Sequence, residues 1–235
     1  SSVKLAALVS YLADAQPADA AWAIYFLSGE KLKRLIPTKL LRQWAAQRAG
    51  IADWLFDECY EAVGDLAETI TLVLPSQTQS SDLTLAQWVT ERLLPLRALS
   101  ETEQHAALRS YWEELDESSL LVLHKLITGS FRVGVSKRSV VKALAQHAGT
   151  ESGTIAHRLM GDWTPSADFF RQLVDPAADD AKLSRPYPFY LAHPLDADPS
   201  ELGTASEFHA ERKWGGIRAQ VLTRAKREGP PAAAA

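Results

Sequence analysis

The sequence predicts an all-α fold over residues 1–174, and three observations carry that prediction. Apolar residues recur at i, i+3, i+4 and i+7 in run after run from Val3 to Phe170. Prolines open several of these runs and glycines close them, as helix starts and stops require. After Val174 the periodicity ends, and "DPAADDAKLSRPYPFYLAHPLDADPSELG" holds five prolines at 176, 186, 188, 194 and 199. Residues 175–205 are therefore read as a linker between domains. "EFHAERKWGGIRAQVLTR" alternates in the manner of a strand, so residues 206–235 are read as the start of a second domain.

Each helix has its own justification. In "VKLAALVSYLADA", Leu5, Leu8, Val9 and Leu12 form one apolar stripe. "PADAAWAIYFLSG" begins with Pro17 and stops at Gly29, and "PTKLLRQWAAQRAG" runs from Pro37 to Gly50. "ADWLFDECYEAVGDLAETITLVL" reads as one long amphipathic run before Pro75, and polar "PSQTQSSD" (75–82) as a surface loop. "DLTLAQWVTERLLPL", "SETEQHAALRSYWEEL" and "ESSLLVLHKLITG" give three more helices, the second opened by a Ser100–Glu103 capping box. "KRSVVKALAQHAG" and "SGTIAHRLMGDW" add two, and "TPSADFFRQLV" one more with Thr164 as its expected cap and Pro165 next.

Composition narrows the function classes. The 235 residues are 46% hydrophobic and 23% charged, ordinary for a globular protein with a full core. A net charge of −4 confines any polyanion site to local charge segregation. One cysteine, Cys59, excludes an internal disulfide and a cysteine-rich zinc site, and no metal-ligand cluster is expected. No basic, then apolar leader opens the chain, and no apolar run approaches the roughly 20 residues a bilayer span needs. The expectation is a soluble, cytoplasmic protein with no membrane partner.

Charge segregation is present. From Ser118 to Thr150 the cations Lys125, Arg132, Lys137, Arg138 and Lys142 meet no acidic residue. At their centre, "TGSFRVGVSKRS" places Gly129 and Gly134 around Arg132 in a short turn before a helix. Glycine permits close backbone approach, and a helix start offers free N–H groups and a positive dipole end. Ser136 adds a hydroxyl, Arg132 and Lys137 add charge, and together the set suits a phosphate. "GEKLKRLIPTKLLR" is a second cationic stretch, with Lys31, Lys33, Arg34, Lys39 and Arg42 against Glu30 alone. No base-reading motif accompanies them, so contact with DNA would be to backbone and shape.

"FLSGEKLKRLIPTKLLRQWA", "DECYEAVGDLAETI", "HKLITGSFRVGVSKRSVVKALA" and "HRLMGDWTPS" together resemble the N-terminal DNA-binding domain of ATP-dependent DNA ligases, the bacterial branch in particular. "TGSFRVGV" is similar to the family's GxxRxG turn, which holds the minor-groove face of nicked duplex DNA. The resemblance gives Gly129, Arg132, Gly134, Ser136 and Lys137 a DNA-phosphate role, with Lys125 and Thr128 as further candidates. It makes the linker lead into an α/β nucleotidyltransferase domain, of which "KWGGIR" resembles the first motif, Lys-any-Asp-Gly-any-Arg. Lys213 then corresponds to the nucleophile that takes AMP from ATP, with Glu211 and Arg218 beside the nucleotide and Mg²⁺ across its phosphates. Gly215 stands where the motif has aspartate, and the family's later motifs and OB-fold domain have no counterpart. The implied function is nick-directed DNA binding within a monomeric ligase of DNA replication, repair and recombination, without ligation by this chain alone. The alternatives are a catalytically inactive ligase relative that only binds DNA, and a helical protein-interaction scaffold.

Single residues also carry expectations. Trp22, Trp44, Trp54, Trp88, Trp112 and Trp163 fall on helical stripes and are read as core. Cys59 is read as a small buried apolar group. His124 is read as a helix-surface or internally satisfied histidine. His157 and Arg158 are read as either phosphate contacts or helix packing. Trp214 is expected to pack.

Overall fold

The computed structural model describes residues 2–75, 81–129, 131 and 134–178, with positions 198, 204 and 206. All regular structure among them is helical. In chain order it comprises α1 (Ser2–Asp14), α2 (Pro17–Leu27), α3 (Thr38–Ala49), α4 (Asp53–Val63), α5 (Leu66–Val73) and α6 (Leu85–Gln87). Then follow α7 (Glu101–Glu114), α8 (Glu117–Thr128), α9 (Lys137–Ala148), α10 (Ser152–Arg158) and α11 (Ala167–Val174). The all-α expectation holds. The strand-like 206–235 segment and most of the 175–205 linker lie outside the described residues.

Two cores share one helix. Trp22 and Phe26, four residues apart on α2, enter a core with Trp44, Phe56, Trp88, Leu108, Trp112 and Leu120. Ala20, Ala21 and Ile24 of the same helix face a second core with Val140, Leu144, Ile155, Phe170 and Leu173. The α-helical period gives α2 these two apolar faces, so it forms the wall between the cores. α1 and α11 pack on α9 and α2 respectively, and α5 packs along α8.

Five expectations change. The long run 52–74 is two helices, because Gly64 takes the left-handed C-cap of α4 and Asp65 caps α5 by accepting the Glu68 N–H at 3.0 Å. The helix expected over 82–96 begins as α6, widens into a π turn (Trp88–Leu93) and tightens into a 3₁₀ segment (Leu94–Ala98). Pro95 causes this: it lacks an N–H and its ring crowds the carbonyl four residues back, so regular α pairing cannot pass it. The cap of α11 is Ser166 instead of Thr164, its Oγ accepting the Phe169 N–H at 3.0 Å. Trp54 is 68% exposed, while Trp22, Trp44, Trp88 and Trp112 are buried and Trp163 half-buried as it stacks on Phe169. Cys59 is half-buried.

Buried polar groups tie the first core together. His124 is fully buried; its Nε2 accepts the Trp112 Nε1–H at 2.8 Å, so the ring proton sits on Nδ1, 2.9 Å from Thr71 Oγ1. The Thr71 hydroxyl in turn donates to the Ala67 carbonyl at 2.9 Å. Burial pushes the His124 pKa down from 6.5 to about 3, so the ring is neutral and joins α5, α7 and α8 as a satisfied histidine.

Candidate nucleic-acid interface

Residues far apart in the chain place the glycine turn. α8 ends at Gly129, which adopts φ +69°, and α9 begins after Ser136. Between them Phe131 packs on Phe26, ring centres 6.2 Å apart, which seats the turn against the first core. Gly134 has φ +65°. Both glycines meet a lysine from elsewhere: a Cβ at Gly129 would lie 3.1 Å from Lys31 Cδ, and one at Gly134 only 2.6 Å from Lys4 Nζ. Lys4 on α1 also donates to the Gly134 carbonyl at 3.1 Å. Positive φ and close approach both explain glycine at these two positions.

The second cationic stretch reaches the same place. Tyr25 at the end of α2 donates its hydroxyl to the Lys31 carbonyl at 3.1 Å, and its ring meets Trp163 edge-on at 5.6 Å. That bond fixes the backbone of Lys31, whose side chain lies across Gly129. Lys4, Lys31, Lys137 and Arg138 are all exposed. Arg138 and the exposed Lys142 stand four apart on α9, opposite the buried Val140, Val141 and Leu144. No acidic residue occupies the first turn of α9. Its positive end therefore adds to the lysines without local neutralisation.

The expected site residues separate into three groups. Gly129, Gly134, Ser136 and Lys137 come together at the turn. Ser136 serves first as the cap of α9, its Oγ accepting the Ser139 N–H at 3.1 Å and lying 2.9 Å from Ser139 Oγ. The Lys137 and Arg138 N–H groups of the first turn are left without helical partners, as at any helix start. Lys125 and Thr128 point away from a phosphate role. Lys125 donates to Asp65 at 2.7 Å with only 13% of its side chain exposed, and the Thr128 hydroxyl donates to the His124 carbonyl at 2.8 Å. Partial burial raises the Asp65 pKa, but the Lys125 hydrogen bond, the Glu68 N–H and the Lys125 charge outweigh it and hold the carboxyl below its usual value. The third group, Arg132, Glu211, Lys213 and Arg218, lies outside the described residues, as does Trp214.

Of His157 and Arg158, it is Arg158 whose role in packing is visible. It is buried and donates to the carbonyls of Leu173, Asp175 and Ala178 at 2.9, 2.8 and 3.3 Å, closing the end of α11. Its charge serves helix packing. Lys4 was not singled out by sequence reasoning, because nothing local connects "VKLAAL" to a turn 130 residues away. Only the packing of α1 on α9 does so.

Among the described residues no three His, Cys, Asp or Glu side chains gather as metal ligands. None of the described helices is long and apolar enough to cross a membrane. Among curated proteins, none matches the chain. The family described as DNA ligase N terminus matches residues 1–145. That span is more than half of the 235 residues and takes in α1, α2, the 28–37 loop and the glycine turn, so the chain belongs to the N-terminal domain family of ATP-dependent DNA ligases.

Proposed function

We propose that this chain binds nicked duplex DNA through its phosphate backbone, using Lys4, Lys31, Lys137, Arg138 and the Gly129–Gly134 turn. The observation that carries this reading is the convergence of three separated cationic segments on one pair of glycines. Glycine backbone allows a phosphate to approach, the start of α9 supplies N–H groups, and the lysines supply point charges. Arg132, between the two glycines in sequence, completes the set on the motif. Lys125 is left out of it, since Asp65 already neutralises it, and so is Thr128.

In the parent enzyme, Lys213 is the nucleophile that carries AMP from ATP to the 5′-phosphate at a nick. Glu211 and Arg218 neighbour the nucleotide. The family implies ATP and a divalent metal, and the helical residues do not fit that metal: they offer no clustered ligands. Their share of the work is to hold the duplex. Nick sealing in replication, repair and recombination, a monomeric state and a place in the bacterial cytosol or nucleoid belong to the same proposal.

The test is fluorescence anisotropy of a labelled nicked duplex over a salt series. Expected is a log–log slope of several phosphate contacts, each about −0.9. A flat, weak response in the full chain would overturn DNA binding by this surface. Mass gain of one AMP on Lys213 in the presence of ATP and Mg²⁺ tests the adenylation reading separately.

A further inference from the structure

Trp54 is the exposed aromatic that DNA binding does not explain. It stands in the first turn of α4 at 68% exposure, with Leu55 beside it at 37%. Glu58 and Glu61 follow at i+4 and i+7, which puts both carboxylates above Trp54 on one helical face. The opposite face of α4 is spent on the core through Phe56. On the flank toward α3, Arg42 pairs with Asp57 and sits over the Tyr60 ring at 5.2 Å. Among the described residues Glu58 and Glu61 have no cationic partner. A tryptophan under two carboxylates is the wrong chemistry for a nucleic acid, whose phosphates those carboxylates repel. It is the right chemistry for a cation: the indole face attracts guanidinium or ammonium groups, and the carboxylates pair with them. Tryptophan is also the residue most enriched where a few side chains dominate a protein interface.

We infer that the Trp54–Leu55–Glu58–Glu61 face of α4 docks a basic, arginine- or lysine-rich segment of a partner protein. Cations of that segment stack on Trp54 and pair with Glu58 and Glu61, while its apolar groups cover Leu55. α4 packs on α3 and α5, whereas the cations at the glycine turn stand on α1 (Lys4), the 28–37 loop (Lys31) and α9 (Lys137 and Arg138). A partner held on α4 leaves that turn open to a duplex.

The test uses the full chain and a labelled eight-residue peptide of alternating arginine and alanine, read by anisotropy at physiological salt. Trp54→Ala and the double variant Glu58→Gln/Glu61→Gln are each expected to weaken binding about tenfold or more. Glu101→Gln/Glu117→Gln, at exposed helix starts elsewhere, should leave binding within about twofold, as expected for rim charges. Equal losses in all variants, or no loss in Trp54→Ala, would sink the proposal, since either means diffuse attraction to any acidic surface. So would the absence of saturable binding. Sedimentation of the chain alone guards against another occupant: self-association abolished by Trp54→Ala would make the face a contact between copies instead.

Discussion

Lys125 and Asp65, sixty residues apart, are joined by a 2.7 Å ion pair that locks α8 to α5 beside the buried His124. Asp65 has two duties, since the same carboxylate caps α5. Lys125→Ala should therefore cost about 1–2 kcal/mol, because it leaves a partly buried carboxylate unpaired. Asp65→Asn keeps a capping oxygen and should cost less. Urea denaturation of the two single variants and the double checks this, and coupling between them is expected. Neither change should alter affinity for nicked DNA by more than about twofold, which separates this pair from exposed phosphate contacts.

His124 makes the fold sensitive to acid. Its folded pKa, near 3, lies below the ordinary 6.5, so the unfolded chain binds the proton more readily. The stability that His124 contributes is complete above pH 6.5 and is lost as pH falls from there toward 3. The slope approaches about 1.4 kcal/mol per pH unit through the middle of that window. Asp65, whose pKa is held below normal, adds a separate loss lower down, as pH falls through its folded value. His124→Leu should flatten the slope between pH 6 and 4. At neutral pH it should cost about 1–3 kcal/mol, because the Trp112 N–H loses its acceptor. An unchanged slope in that variant would assign the acid sensitivity elsewhere.

Gly134→Ala should act on the fold and the site together. A methyl group there meets a backbone at φ +65° and a lysine nitrogen 2.6 Å away. Gly149 has φ +63° with nothing within 4 Å, so Gly149→Ala isolates the backbone cost, about 1 kcal/mol. Thermal melts should show similar stability losses for the two variants, since Lys4 is flexible and can give way. Only Gly134→Ala should weaken DNA binding. Equal affinities would mean that Lys4 does not need its place over the turn.

What the sequence made legible was local. Caps, periodicity and Pro/Gly punctuation located the helices, and the acid-free run 118–150 located the turn. Three things were not local. Trp54 lies on a stripe that reads as core, but α4 packs chiefly on α3 and α5 through its other face, and its indole faces outward. Lys125 looks like its cationic neighbours, and only the fold brings Asp65 to it. Lys4 gives no sign in "VKLAAL" of its relation to Gly134, which exists in three dimensions alone. Charge tells where a polyanion could bind, whereas packing decides which charges remain available.

That distinction gives the last prediction. Four single charge reversals, at Lys4, Lys31, Lys137 and Lys125, should fall into two classes in the nicked-duplex assay. Lys4→Glu, Lys31→Glu and Lys137→Glu each replace an exposed cation at the turn by a repulsive charge. Each should lower affinity about tenfold at low salt and reduce the salt slope by about one contact. Their melting temperatures should stay near the parent, because none of the three is buried. Lys125→Glu should do the reverse: it sets two carboxylates against each other between α8 and α5 and destabilises the fold. Affinity of its folded fraction should be nearly unchanged. If Lys4→Glu and Lys31→Glu bind normally while Lys137→Glu does not, the interface is confined to α9. If all three bind normally, the glycine turn is not where this domain holds DNA.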